Sequence, residues 1–154
     1  MENTPELSFI VDISLKAGQI LRDMHRQHIE VHHKSVADLV TAADKAAEEY
    51  IISAILEKFP DHSIIAEESG SHKANPDHQW FIDPLDGTKM YFRGLDHFNT
   101  ALSLCYKNQI IVGGIYRPVS RELYSAKDSS VTRLNGHKVT VNDTTELLNS
   151  FIFT

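Results

Sequence analysis

Apolar residues recur at spacings of three and four between residues 7 and 24, where Ile10, Ile13, Ala17, Ile20, Leu21 and Met24 share one side of a helical wheel. That spacing predicts an amphipathic helix. The pattern returns over residues 42–59, with Ile51, Ile52, Ile55, Leu56 and Phe59 on one face. Thr41 ahead of it and Asp44 three residues later approximate a capping box, and Pro60-Asp61-His62 ends it. Beyond this point the texture changes to short apolar runs rich in β-branched residues. Residues 63–66, 80–83, 100–106, 110–116, 123–126 and 138–141 are the expected strands, and residues 150–154 read as the start of another. Lys107-Asn108-Gln109 suits a hairpin loop and Asn135-Gly136 a turn. Two helices followed by consecutive strands predict an α+β domain, a helical layer packed on a mainly antiparallel sheet.

Composition narrows the picture only modestly. The 154 residues are enough for one domain with a real core, and 42% hydrophobic with 23% charged is ordinary for a globular chain. No apolar run approaches the roughly 18 residues of a membrane span, and the N-terminus lacks the basic and apolar regions of a signal peptide. Cys105 is the single cysteine, so no internal disulfide forms, which fits a reducing cytoplasm. A net charge of −6 argues against a broad nucleic-acid surface. It does not argue against a phosphate held through a metal ion, which inverts the local electrostatics.

The chemistry concentrates in Trp-Phe-Ile-Asp-Pro-Leu-Asp-Gly-Thr, residues 80–88. Pro84 disfavours helix at Asp83, which places that acid at the end of an extended segment. Asp86-Gly87 permits a tight turn that returns the second carboxylate toward the first. The Leu85 carbonyl, freed from any strand ladder by the turn, adds a third hard oxygen. Such donors suit Mg²⁺ rather than zinc. The backbone N–H groups of Gly87 and Thr88 could face a phosphate, especially where a helix begins. Upstream, Glu67-Glu68 closes another β-like run, and pairing of the two strands, parallel or antiparallel, would bring Glu67 beside Asp83. Converging acids repel one another unless a cation neutralises them. Taken singly, each piece reads as a solvated loop or a plain turn; taken in order, they read as a metal site.

The chain resembles the inositol monophosphatase family of Mg²⁺-dependent, lithium-sensitive phosphatases. The resemblance is carried by Asp-Leu-Val-Thr-Ala-Ala-Asp (38–44), Phe-Pro-Asp-His (59–62), Glu-Glu-Ser-Gly (67–70) and the 80–88 motif. It continues in family order through Gly-Gly-Ile-Tyr-Arg-Pro (113–118), Glu-Leu-Tyr-Ser-Ala (122–126) and Leu-Asn-Gly-His-Lys-Val (134–139). It implies the first half of an α-β-α-β-α sandwich, with residues 1–154 as an N-terminal metal- and phosphate-binding domain. It further implies that Glu67, Asp83, the Leu85 carbonyl and Asp86 bind metal, two or three Mg²⁺ ions in all. Asp86, Gly87 and Thr88 would contact the substrate phosphate. Thr88 paired with Asp44 would position or activate water, Glu67 would share in catalysis, and Glu68 would stand behind the ligands. Metal-assisted hydrolysis needs no phosphoenzyme, and the two-residue gap between Asp83 and Asp86 differs from the Asp-x-Asp-x-Thr of aspartyl-phosphate enzymes.

The implied reaction is hydrolysis of a small polyol phosphate, inositol 1-phosphate first, by a cytoplasmic enzyme that is a homodimer at full length. Gly-Thr-Lys at 87–89, where inositol phosphatases often have Gly-Thr-Thr, keeps bisphosphate nucleotidase and histidinol phosphatase as alternatives. The family's second signature, a Trp-Asp followed by small residues, does not occur: Trp80 is the only tryptophan and belongs to the first signature. That departure makes the chain resemble an N-terminal half, and it raises a reading of another class, a non-catalytic metal-binding or dimerisation domain. Asp128-Ser129-Ser130-Val131-Thr132 also replaces the family's Gly-x-Gly-Ala. The nine histidines, including adjacent His32-His33, lack cysteine partners at zinc-ligand spacing and read as surface or loop residues. Lys34 and Asp38 flank a loop ahead of the second helix that resembles the family's mobile metal-binding segment and reads equally as a solvated loop. Arg93 and Arg117 read as snorkelling cations, and Cys105 as core packing.

Overall fold

A computed structural model describes residues 4–25, 31–33, 39–128, 131–146 and 148. In chain order the elements are α1 (Pro5–His25), β1 (Val31–His33), β2 (Leu39–Thr41), α2 (Ala42–Lys58), β3 (His62–Ala66), β4 (Gly70–His72) and β5 (Asn75–Asp86). They continue as α3 (Thr88–Phe92), β6 (Asn99–Tyr106), β7 (Gln109–Arg117), β8 (Glu122–Lys127), β9 (Arg133–Leu134) and β10 (His137–Lys138). β1 and β2 form a small antiparallel ribbon, and the rest form an eight-stranded sheet in the order β10-β9-β8-β7-β6-β5-β3-β4. The architecture is the expected α+β arrangement, helices packed on a mostly antiparallel sheet.

Both helices lie where the three-and-four spacing puts them. Ile10, Ile13, Ala17 and Leu21 of α1 and Ala43, Ala47, Ile51 and Ile55 of α2 are buried against one sheet face. From the sheet, Ile64, Trp80, Ile82, Leu102, Leu104 and Val112 enter the same core. Close approach is keyed at two glycines. A Cβ at Gly18 of α1 would stand 2.4 Å from the Tyr116 ring, and one at Gly114 of β7 would stand 2.7 Å from Ile10 Cγ2. The other face of the sheet carries Ile65, Phe81, Ile110 and Ile115, each exposed, around a shallow cavity of about 600 Å³.

Turn residues behave as read. Lys107 and Asn108 adopt positive φ between β6 and β7, and Asn135 and Gly136 do so between β9 and β10. One strand expectation is corrected. Of the run 138–141 only Lys138 stands in a strand, opposite Arg133 of the two-residue β9; the Val139 N–H still donates to the Thr132 carbonyl at 3.0 Å, and 140–141 leave the sheet. Residues 150–154, Lys34 and Asp38 lie outside the described residues, as do the side chains of Thr41, His32 and His33.

Candidate metal and phosphate site

The sheet has one parallel pair, β3 beside β5, inside an otherwise antiparallel order. Because they run together, both strands end on the same edge. Ala66 is level with Ile82, so Glu67 and Asp83 leave the ladder side by side. The Glu67 N–H donates to the Ile82 carbonyl at 3.2 Å, which carries the pairing one residue further. The two carboxyl groups are close enough for each to bear on the protonation of the other.

Past Asp83, β5 bulges. Asp83 is opposite Ala101 and Asp86 opposite Asn99, with the register broken between them. Pro84 has no N–H for the ladder, so a bulge is where it fits. The Leu85 side chain is sunk in the core at 1% exposure, and the Thr100 hydroxyl donates to the Pro84 carbonyl at 3.0 Å. These contacts pin the loop and leave Asp86 exposed, with Asn99 Nδ2 donating to its Oδ2 at 2.7 Å. Gly87 has φ +89°, and a Cβ there would approach the His97 carbonyl oxygen to 2.7 Å, so only glycine fits the turn. A short helix, α3, then starts at Thr88, whose hydroxyl donates to the Leu85 carbonyl at 3.0 Å.

Asp44 comes from the first turn of α2 and is buried. Burial, then the charges of Glu68, Glu67, Asp83 and Glu48 in that order, push its pKa up to about 8. Asp83 is raised to about 7, by burial first and next by the charge and proximity of Glu67. The charge of Asp86 adds to this and the Leu85 N–H partly opposes it. The fold therefore gathers Asp44, Glu67, Glu68, Asp83 and Asp86, from α2 and two strand ends, into one field of like charge. Among the described residues no Lys or Arg pairs with Glu67, Asp83 or Asp86.

A hard divalent cation fits this field. Asp83 Oδ1 is buried and accepts no hydrogen bond among the described residues, an acceptor that costs free energy until something positive meets it. Carboxylate and carbonyl oxygens are the donors Mg²⁺ takes. No three His, Cys, Asp or Glu side chains among the described residues close a cage around one point. Mg²⁺ does not require one, since it keeps several waters and is commonly held by one or two carboxylates with substrate phosphate.

A sequence model of the inositol monophosphatase family matches residues 2–154. The chain belongs to that family. It is 37% identical over 153 residues to "Nus factor SuhB" of Haemophilus influenzae, covering 97% of this chain and 57% of that protein. It is 35% identical over 152 residues to "Fructose-1,6-bisphosphatase/inositol-1-monophosphatase" of Aquifex aeolicus, covering 96% and 57%. The solved structure of an inositol monophosphatase from Thermotoga maritima superposes with a TM-score of 0.83 at 30% identity, covering 91% of this chain and 55% of that one. The chain thus spans a little over half the length of the relatives it matches.

Two residues of this inositol monophosphatase family member were not anticipated from the sequence. Glu48 is buried on α2 and accepts from the Glu68 and Ser69 amides; its signal was the four-residue spacing from Asp44, which puts both on one helix face. Asn99, which holds Asp86, arrives from β6 and has no local signature. Arg117 ion-pairs with Glu122 at 2.9 Å across the β7–β8 ladder, a structural contact. Cys105 is buried in β6 as read. His62 and His78, expected to be ordinary surface or loop residues, stack on each other with centroids 4.5 Å apart, and His62 Nδ1 accepts the Trp80 indole N–H at 3.0 Å.

Proposed function

We propose that this chain supplies the metal- and phosphate-binding half of a Mg²⁺-dependent phosphomonoesterase acting on small polyol phosphates, inositol 1-phosphate foremost. The observation that carries the reading is the meeting of Glu67 and Asp83 at adjacent parallel strand ends, with buried Asp44 in the same field. Family membership supports phosphatase chemistry, and one relative bears an inositol-1-monophosphatase name.

In this proposal Glu67, Asp83, the Leu85 carbonyl and Asp86 hold the cations, two or three in number. When bound, they supply Lewis acidity toward water and phosphate oxygen. Asp86, Gly87 and Thr88 receive the substrate phosphate, and the φ of Gly87 keeps that approach free of a side chain. Thr88 gives its proton to the Leu85 carbonyl, so its oxygen lone pairs are available to accept from a water and orient it. Were that hydroxyl to rotate toward Asp44, Thr88 could hand its proton to the Asp44 carboxylate while taking one from the water it orients, and the Leu85 carbonyl would be released to serve as a cation ligand. Glu68 stands behind these groups. The same proposal includes a cytoplasmic location and a homodimer in the whole protein.

The test is release of inorganic phosphate from inositol 1-phosphate, 3′(2′),5′-bisphosphate nucleotides and histidinol phosphate, with Mg²⁺ and with EDTA. Turnover of inositol 1-phosphate that needs Mg²⁺ and vanishes in Asp86→Asn supports it. Metal-independent turnover sinks it, and Mg²⁺ binding without turnover of any of the three favours the reading of a non-catalytic binding domain.

A further inference from the structure

Glu48 has no place in the roles above, yet it ties α2 to the acids. Its residue is only 4% exposed. A carboxylate so buried persists only where its oxygens are satisfied. Here each oxygen takes one of two consecutive amides: Oε2 accepts from Glu68 N–H at 3.0 Å and Oε1 from Ser69 N–H at 2.9 Å. The amide just before them, Glu67 N–H, is given to the Ile82 carbonyl at 3.2 Å. Three successive N–H groups are therefore committed, one to β5 and two to α2. A peptide plane fixed on both sides of a residue leaves little freedom in its φ and ψ, so the direction of its Cβ is set. The residue fixed in this way is Glu67.

We propose that Glu48 is a positioning residue, whose carboxylate clamps the turn from Glu67 to Ser69 and aims Glu67 at Asp83 before a cation arrives. The role deepens the proposed function and rests on Glu67 being a metal ligand. Hydrogen bonds to an ionised acceptor are about twice as strong as neutral ones, and this acceptor uses both oxygens on neighbouring donors. Groups that orient a metal ligand set how tightly the metal is held, because the ligand need not be ordered at the moment of binding. Glu48 lies one helical turn after Asp44, so a single face of α2 presents both the buried acid and the clamp.

The decisive experiment uses Glu48→Gln, Glu48→Asp and Glu49→Gln. Glutamine keeps the shape but turns one oxygen into a donor facing a backbone N–H. Aspartate keeps the charge but withdraws it by one methylene. Glu49 is the exposed neighbour, so its change removes the same charge without touching the turn. Amide hydrogen exchange at Glu68 and Ser69 is measured in the Mg²⁺-free chain, and Mg²⁺ affinity by calorimetry. Both Glu48 variants are expected to lose protection at those two amides and to bind Mg²⁺ about 10- to 100-fold more weakly, with Glu49→Gln unchanged. Retained protection in Glu48→Gln, or restoration by Glu48→Asp, overturns the clamp. Unaltered Mg²⁺ affinity despite lost protection overturns its role in metal binding. Should the parent chain bind no Mg²⁺ at all, the proposed function fails, while amide exchange still decides the clamp.

Discussion

The middle of β5 and its C-terminal end solve opposite problems. Around Trp80 the rings pack on one another and the indole N–H has an uncharged partner, although His78 Nδ1 is buried with no partner among the described residues. The indole is fully buried, its N–H is received by His62, and His62 stacks on Phe59 at 4.8 Å and on His78 at 4.5 Å. Three residues on, Asp83 is only partly exposed, beside Glu67 and Asp86, and one of its oxygens has no hydrogen-bond partner among the described residues. One part of the strand invests in the fold; the other holds charge in a state that only a cation relieves. Local rules are broken where function lies, and the adjoining structure holds the broken piece in place.

Substitutions should separate the two regions. The largest effect belongs to Trp80→Ala, which removes the indole that meets Phe9 and Phe59 edge-on or tilted, each with centroids 5.7 Å away. We expect a loss of about 3–5 kcal/mol in urea unfolding, with any Mg²⁺ binding by the folded fraction unaffected. Asp83→Asn should act the other way: the metal-free chain gains about 0.5–2 kcal/mol, the usual return when a functional strain is removed, and no longer gains thermal stability on adding Mg²⁺. A variant destabilised both with and without Mg²⁺ would contradict this division of labour.

The most diagnostic effect is on pH dependence, where the two regions have opposite signs. Asp44 and Asp83 titrate near 8 and 7 when folded, above the ordinary 3.8. The folded chain thus keeps protons that the unfolded chain has released, and this stability is full below 3.8 and lost as pH rises toward 8. His62 runs the other way. Burial first, and then His78, lower its pKa below the ordinary 6.5, so acid costs stability there and the loss is recovered as pH rises through 6.5. Unfolding measured from pH 5 to 8 without metal should show both slopes. Saturating Mg²⁺ should flatten the falling arm, and His62→Phe the rising arm. Native-state fluorescence of Trp80, the only tryptophan, should change with the histidine titration and not with that of the acids.

How much of this could be read in advance depended on how local the signal was. Helix spacing located α1 and α2 to within two residues at each end, because each buries a continuous apolar stripe. β4 was invisible: Gly70, Ser71 and His72 are all exposed and carry no alternation. The early part of β5, from Asn75, was hidden by Pro76 and its polar neighbours. The acids were legible as residues, and their convergence was readable as a possibility. That β3 and β5 run parallel, which decides the convergence, depends on the crossover through β4 rather than on any motif. Glu48 and Asn99 escaped notice for the same reason, since each reaches the acids from an element elsewhere in the chain.

The paired close approaches at Gly18 and Gly114 make α1 a ruler. With Tyr116 and Ile10 fitted into those gaps, sliding the helix by one residue would shift it about 1.5 Å along its axis and drive side chains into backbone. Leu21, near the far end of the same helix, lends its carbonyl to the Tyr91 hydroxyl at 2.8 Å, a bond too short to survive such a slide. Tyr91 sits on α3, one helical turn beyond Thr88. The placement of α3 is thereby measured off from two glycine contacts on β7 and α1 as well as from the loop beside the acids. A substitution at Gly18, far from any phosphate, should be felt first as a misplaced Thr88.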